Sequence, residues 1–425
     1  MTLNETIELI RSTINSTHLE NKVYIVGGWC RDTYWGIEPK DIDILVNGSE
    51  EDLKNLLTML KPHATQHAEY PRFGTAMLTV GENQLEFVLP RKESYTDDSR
   101  KPDVESGSDK VSLLEDAMRR DFTINTLLYN ISTREYEDPT GEAIKHLKKR
   151  LLRTPTLADV TLKDDPLRIL RAIRMLQEYC LKPHQSLRRG IVRNASLVCP
   201  PKVSMERIKG EFIKILSLSD ARSKQNNIIS MLLVLKTTIP ELTYVINPVI
   251  LGTERGVDYR VKLALLFSYL PVKTVKDILR RLKFSNADVN SISRILELQN
   301  NLPEDYELHW SEYEYRQFIL DCGTDFNNVL NFRHRRNSLL GLSIDNITKL
   351  DLKCSEYECK ARSVDLVSPL NGNEIHELFG VTGLGIKKIK DLLTKLVLSG
   401  TLDPNDRKKA AQIINGTNQK ETDCS

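Results

Sequence analysis

The strand signals of this 425-residue chain fall in roughly its first 140 residues, and that segregation constrains the fold more than any other feature. Residues 22–26 are β-branched and aromatic. Residues 41–46, Asp-Ile-Asp-Ile-Leu-Val, open on polar–apolar alternation. Residues 75–80 and 84–89 flank Gly81-Glu82-Asn83 and read as a hairpin. Residues 6–13 and 51–60 have helical spacing. From Pro166 the character changes. Residues 167–179, 205–216, 225–235, 259–270 and 274–282 all read as helices, and the last third continues so, with another at 386–399. The expected fold is an α/β head followed by a mostly α-helical neck, body and tail.

Charge and cysteine usage narrow the function classes. Lys+Arg is 60 and Asp+Glu is 58, a formal net charge of +2. That excludes a histone-like polycation, but a basic face can still be balanced by acidic loops elsewhere. The 7 cysteines stand at positions 30, 180, 199, 322, 354, 359 and 424, with no CxxC pair. A disulfide scaffold or zinc ribbon is therefore a poor reading, and a reducing interior the better one. The longest apolar-rich run, residues 228–235, is far short of the ~20 residues a membrane span needs. A cytoplasmic protein with no membrane partner is expected.

Three motifs carry chemistry. The first is Ile25-Val26-Gly27-Gly28-Trp29-Cys30-Arg31-Asp32, followed by Lys40-Asp41-Ile42-Asp43. A strand enters a Gly-Gly turn, where backbone N–H groups can approach a phosphate closely. Arg31 adds charge within one helical turn. Period-two geometry puts Asp41 and Asp43 on one face of the next strand, as a pair of Mg²⁺ ions requires. The same residues also suit a structural turn and two solvated acids. The second motif is Arg119-Arg120-Asp121-Phe122-Thr123-Ile124-Asn125. The Arg120 fork matches triphosphate oxygens, and Asp121 and Asn125, at i and i+4, are placed to reach a ribose hydroxyl. A salt-bridged helix cap is the plainer alternative. The third is Asp164-Asp165-Pro166-Leu167-Arg168-Ile169-Leu170-Arg171-Ala172-Ile173-Arg174. Pro166 and the acids before it mark a helix N-terminus. Arg168, Arg171 and Arg174 sweep one face, while Leu167, Leu170, Ile173 and Leu176 form a neighbouring buried one.

Taken together and in this order, the motifs resemble those of the class II tRNA nucleotidyltransferase/poly(A) polymerase family, which includes the CCA-adding enzymes. Asp138-Pro139-Thr140-Gly141 is similar to the family's hinge between head and neck. Met205-Glu206-Arg207-Ile208 and Glu211 resemble its helix-capping Glu-Arg element. The resemblance covers residues 22–216. It implies a polymerase-β-like nucleotidyltransferase head at 1–141, a neck of base- and RNA-binding helices at 142–218, a helical body at 219–310 and a tRNA-binding helical tail at 311–425. It departs from the family at Cys30, at Thr33-Tyr34-Trp35 and at Asp164, where many members have Glu.

The resemblance further implies transfer of CMP and AMP from CTP and ATP to the 3′ end of tRNA. Mg²⁺ on Asp41 and Asp43 would be the cofactor. Nucleotide contacts would come from Gly27, Gly28, Arg31, Arg120, Asp121, Asn125, Asp165, Arg168, Arg171 and Arg174. Glu86 would be either a third carboxylate or an edge-strand acid. Base choice follows from hydrogen bonding. C and A each present an exocyclic amine beside a ring acceptor, whereas G and U present a carbonyl beside a ring N–H. An accepting Asp165 and a donating Arg168 match the first pair and oppose the second. A polar loop at 91–103 favours full CCA or terminal-A addition. Basic clusters at Lys145/Lys148/Lys149/Arg150/Arg153, Arg188/Arg189/Arg193 and Arg333/Arg335/Arg336 are expected to track tRNA phosphates. A poly(A) polymerase, a terminal-A-adding enzyme and an inactive RNA-binding module are the competing readings.

Overall fold

The structure, a computed structural model, describes residues 1–39, 41–70, 74–94, 103–218, 234–242, 256–301, 310, 312–363, 368–398 and 401–422. The chain forms two compact units, one of Met1–Gly256 with Arg281–Lys283 and the other of Val257–Arg280 with Phe284–Ser425.

The first unit is built on a seven-stranded sheet, and its first strands are those the alternation marks. They are β1 (Val23–Val26), β2 (Ile42–Val46), β3 (Gln66–Tyr70), β4 (Thr75–Val80), β5 (Asn83–Val88), β8 (Leu128–Asn130) and β9 (Tyr136–Glu137), in spatial order β3-β4-β5-β2-β1-β8-β9. Every neighbouring pair is antiparallel except β2 with β5, which run parallel. Period two is visible in the burial. Ala76, Leu78 and Val80 of β4 and Leu85 and Phe87 of β5 are buried, with less buried residues between them. Tyr24, Val26, Leu45 and Leu128 form one apolar cluster across β1, β2 and β8.

Helix α1 (Leu3–Ile14) buries Ile7, Ile10 and Ile14, and α3 (Glu50–Leu60) buries Leu53, Leu56, Leu57 and Leu60. Each starts at a reciprocal cap, Thr2 with Glu5 and Ser49 with Asp52, which satisfies N–H groups that a helix start leaves unpaired. Helix α2 (Gly28–Tyr34) begins directly after β1. Two short strands, β6 (Arg91–Ser94) and β7 (Asp103–Ser106), pair antiparallel, and α4 (Leu113–Met118) follows. The 91–103 segment expected as a loop is thus a hairpin stem at both ends. Its centre, 95–102, lies outside the described residues.

The helical stretch of this unit holds α5 (Ala143–Lys149), α6 (Ala158–Asp164), α7 (Leu167–Glu178), α8 (Gln185–Asn194) and α9 (Met205–Leu216). In α7 the spacing holds as expected. Leu167, Leu170, Ile173 and Leu176 are all buried, and Ile169, Ala172 and Met175 widen the stripe. Each buried aliphatic of this size stabilises by about 1.5–3 kcal/mol, so packing rather than helix propensity fixes α7 in place. Helix α9 packs on α7 and is capped by Ser204, whose side chain accepts from Arg207 N. Ser204, rather than the Glu206-Arg207 pair, is the cap. The helix expected at 225–235 lies outside the described residues up to 233.

The second unit is helical where it is described, with Asn286–Asn301, Glu312–Cys322, Phe326–Leu340, Asp345–Ser363, Leu384–Leu398 and Arg407–Thr422 as its larger helices. Near its end Leu370, Ile375, Leu393, Leu402, Ala410 and Ile414 form a separate small core. One basic cluster needs correction here. Arg333 is buried and donates to Gln299 Oε1 at 3.1 Å, so it does not face solvent, whereas Arg335 and Arg336 beside it are partly exposed. The α/β head and helical remainder are as the sequence leads one to expect.

Candidate active site

The acid corner forms because β1 and β2 are antiparallel neighbours in a register that pairs Val26 with Asp43. The residue after Val26 is Gly27, and it must turn sharply. It has φ 73°, and a Cβ there would lie 3.1 Å from Asp43 Oδ2 and 3.8 Å from Arg120 Nη1. Both the left-handed backbone and the close approach require glycine. The parallel partner β5 sets Glu86 opposite Asp43, so Glu86 is on an interior strand, not an edge. Asp41 stands exposed just before β2, and Asp43 is half-buried. Burial, then the Glu86 carboxylate, push Asp43 up to about 6, against the pull of Arg120 and with a further push from Asp41.

A carboxylate that resists ionisation among other carboxylates is short of positive charge. That donor set of hard oxygens suits a divalent cation that completes its shell with water and phosphate oxygens. Among the described residues, no three carboxylate, imidazole or thiol groups already close into a cage.

Arg120 faces this corner. Its Nη1 donates to Asn125 O at 3.2 Å, and its Nε and Nη2 donate to Asp116 Oδ2 at 3.2 and 2.9 Å. Asp121 and Asn125 meet at the expected i, i+4 spacing, with Asn125 Nδ2 donating to Asp121 Oδ1 at 2.9 Å. Both are buried and bound to protein groups. Asp121 Oδ1 also accepts from Phe122 N, and Oδ2 accepts two bonds from Arg171. Asn125 Oδ1 accepts from Arg31 Nη1 at 2.8 Å. Arg31 in turn donates to both oxygens of Asp32 and to the Tyr179 hydroxyl at 2.6 Å. Arg31, Asp121, Asn125 and the partly exposed Arg171 therefore form one network that joins α2 and the segment 121–125 to α7. Burial opposes the charge on Asp121, but Arg171 and the Asn125 amide outweigh it and hold its carboxyl down to about 2.

Asp165 stands between α6 and α7, and Arg168 lies in the first turn of α7; the Arg168 backbone N–H donates to Asp165 O at 3.0 Å, but their side chains do not bond each other. Asp165 Oδ1 accepts from Leu167 N at 3.2 Å, and Arg207 of α9 bridges both Asp165 oxygens at 3.3 and 2.8 Å. Arg168 donates to Thr161 O at 3.3 Å and to Arg119 O at 2.7 Å. Of five guanidinium N–H groups it keeps about three for a ligand. Arg168 lines a cavity of about 320 Å³ with Arg119, Asp164, Thr156, Thr161 and Leu157. Arg174 is turned away, to Glu211 at 2.8 Å and Glu178 at 2.7 Å.

The structure brings Gly27, Asp43 and Arg120 close together, and sequence reasoning passed over three groups. These are Asp116, which carries Arg119 and Arg120; Tyr179, which receives Arg31; and the pairing of Arg207 with Asp165. An acid three and four residues before two arginines on a helix was the signal available for Asp116. No local pattern marks the other two.

The arrangement can hold a triphosphate at one end and read a base edge at the other. A family model described as the Poly A polymerase head domain matches residues 23–153. The chain is 33% identical over 246 residues to the tRNA nucleotidyltransferase cca2 of Schizosaccharomyces pombe, covering 52% of this chain and 48% of that one. It is 32% identical over 232 residues to the mitochondrial CCA tRNA nucleotidyltransferase of Saccharomyces cerevisiae, covering 50% of this chain and 42% of that one. The chain thus spans about half the length of the curated relatives it matches. Among solved structures, the Bacillus stearothermophilus CCA-adding enzyme in complex with CTP has the same fold, with a TM-score of 0.72 over 100% of both chains at 20% identity.

Proposed function

We propose that this chain, which belongs to the class II tRNA nucleotidyltransferase/poly(A) polymerase family, transfers CMP and AMP from CTP and ATP to the 3′ end of tRNA without a nucleic-acid template. The observation that carries the reading is the acid corner of Asp41, Asp43 and Glu86, set against Gly27 and Arg120 in the same unit as Asp165 and Arg168. Asp41 and Asp43, with Glu86 beside them, would hold Mg²⁺. When bound, Mg²⁺ supplies Lewis-acid activation of the attacking hydroxyl and neutralises charge on the departing pyrophosphate.

The chain's own residues do the rest. Gly27 and Gly28 let the turn approach a phosphate without a Cβ in the way. Arg120, fixed on one edge by Asp116, offers its remaining N–H groups to phosphate oxygens. The network of Arg31, Asp121, Asn125 and Arg171 holds α7 at a set distance from that corner. Asp165 accepts from the exocyclic amine of C or A, and Arg168 donates to the ring nitrogen beside it. U and G place an N–H against Arg168 and leave it unpaired, which is a strong basis for rejection. Lys145, Lys148, Lys149, Arg150 and Arg153, together with Arg188, Arg189 and Arg193, are all exposed and would meet tRNA phosphates. The head, neck, body and tail boundaries after 141, 218 and 310 belong to this proposal, as does cytoplasmic location. Among the described residues no helix is long and apolar enough to cross a membrane.

Incubation of a 3′-truncated tRNA with each labelled nucleotide and Mg²⁺ tests the reading. Growth by CCA, with CTP and ATP used and UTP and GTP refused, is expected. Extension by A alone would make the chain a terminal-A-adding enzyme or, for long products, a poly(A) polymerase. No incorporation would overturn the reading.

A further inference from the structure

Asp116, third from the end of α4, is 1% exposed, yet it is a carboxylate with two cations on it. Its Oδ1 accepts from Arg119 Nε and Nη2 at 3.0 and 2.7 Å and from the Arg91 backbone N–H at 3.2 Å. Its Oδ2 accepts from Arg120 Nε and Nη2 at 3.2 and 2.9 Å. The two guanidinium groups are thereby splayed apart. Arg119 turns to Arg91 O at 2.8 Å, and its own carbonyl receives Arg168 Nη2 at 2.7 Å. Arg120 turns its Nη1 toward the corner where Gly27 approaches Asp43.

We infer that Asp116 is a positioning residue for nucleotide binding, which sets the direction of Arg120 and keeps it off the catalytic acids. The inference rests on the reading of Arg120 as a triphosphate ligand. Its physical basis is the competition at this corner. An arginine is long and flexible, and Asp43, with Glu86 and Asp41 close to it, already attracts Arg120 across the Gly27 turn. Paired with Asp43, Arg120 would occupy the oxygens that a metal needs and would be lost to phosphate. Asp116 engages the Nε and Nη2 edge side-on, and with the Nη1 bond to Asn125 O this uses three of the five N–H groups. The remaining two are fixed in direction. The same carboxylate also accepts from the Arg119 side chain, whereas Arg168 bonds the Arg119 backbone carbonyl and does not depend on Asp116.

The test uses the full chain with Asp116→Asn, Asp116→Glu, Arg120→Ala and the double variant Asp116→Asn/Arg120→Ala. KM for CTP and for ATP, kcat and affinity for 3′-truncated tRNA are measured below each variant's unfolding temperature. Asp116→Asn should raise both nucleotide KM values by the same factor, about tenfold to a hundredfold, as misplacement of about 1 Å does. Affinity for tRNA should stay unchanged. The double variant should match Arg120→Ala, because Asp116 acts through Arg120. Asp116→Glu keeps the charge and moves it by one methylene. It should fold and raise KM less than Asp116→Asn, and it carries the test if Asp116→Asn does not fold. Wild-type KM values in folded Asp116→Asn or Asp116→Glu, with only the unfolding temperature lowered, would overturn the inference. An unchanged KM in Arg120→Ala would overturn the reading of Arg120 and the inference with it. A wild-type chain that incorporates nothing would point instead to failure of the proposed function.

Discussion

Arg171 donates from both Nε and Nη2 to a single oxygen of Asp121, at 2.9 and 2.7 Å. The other oxygen of Asp121 takes the Phe122 and Asn125 N–H groups. Two residues that sequence reasoning assigned to a nucleotide are thus bonded to each other, and the bond ties α7, which carries Arg168 and begins just after Asp165, to the segment 121–125 that follows Arg120. The separation between the two ends of the site is set by a buried acid rather than by a loop.

The pH dependence of stability follows. The folded carboxyl of Asp121 is held down to about 2, from 3.8. A depressed carboxyl stabilises the fold above its unfolded value and loses that contribution as pH falls through the folded one. The contribution is on the order of 2 kcal/mol at neutral pH, since each unit is about 1.4 kcal/mol. Asp121→Asn should therefore cost about 2 kcal/mol in urea unfolding at pH 7, and the gap from wild type should shrink between pH 4 and 2. A gap that stays constant over that range would mean the ion pair is not its source.

At the acid corner the sign is reversed. Burial and the Glu86 carboxylate make an ionised Asp43 unfavourable. Asp43→Asn should remove that repulsion and raise the unfolding temperature in metal-free buffer, while nucleotide incorporation falls to background. Losing one key charge-stabilising group typically costs ~10²–10³ in rate, and a metal ligand belongs at or beyond that range. Adding Mg²⁺ should stabilise the wild type and leave Asp43→Asn unmoved. Equal Mg²⁺ stabilisation of both proteins would place the cation elsewhere.

The contact of Glu211 with Arg174 predicts a purely structural loss. Glu211 is 4% exposed and accepts from Arg174 Nε at 2.8 Å, which joins α9 to α7. Burial opposes its charge, but Arg174 outweighs burial and holds the carboxyl below its usual range. Glu211→Gln should cost roughly 3 kcal/mol, the low end for removing one partner of a buried pair, because Glu178 still engages Arg174. Thermal unfolding should shift markedly while the choice among the four nucleotides stays as in wild type. Altered base choice would show that Arg174 contacts the nucleotide directly.

Residues that act through local spacing were legible before any coordinates. Gly27-Gly28, the alternation around Asp43, and the Leu167/Leu170/Ile173/Leu176 stripe each follow from a backbone period or a turn. What could not be read was where the arginines point. Arg31, Arg120, Arg171 and Arg174 all carry a charge that phosphate would welcome, yet each is bonded to a protein acid or amide. Those partners lie far away in sequence for three of the four, so only the fold brings them in. The hairpin β6–β7 escaped for a related reason. Arg-Lys-Glu-Ser and Asp-Val-Glu-Ser have no alternation, and the strands exist through backbone pairing.

The base-reading pair gives the sharpest test. Arg168 is anchored by the carbonyls of Thr161 and Arg119, and Asp165 by Arg207 and the Leu167 N–H. Both side chains are therefore engaged by protein partners before a nucleotide arrives, which favours a fixed orientation for a surface that replaces a template strand. Arg168→Ala removes a charged donor to the ring acceptor of C and A. The loss should be ~1.5–3 kcal/mol, or about one to two decades in kcat/KM for both CTP and ATP. Discrimination against UTP and GTP should fall with it, because their ring N–H no longer meets a fixed cation. Arg207→Ala should act in the same direction but less strongly, since Asp165 keeps its bond to the helix start and loses only orientation. Affinity for the truncated tRNA should barely change in either variant. Steady-state incorporation of all four nucleotides, with tRNA binding measured in parallel, decides the matter. If Arg168→Ala kept full selectivity and instead lost tRNA affinity, Arg168 would be a backbone contact on a basic helix face, and base choice would have to be sought in other residues.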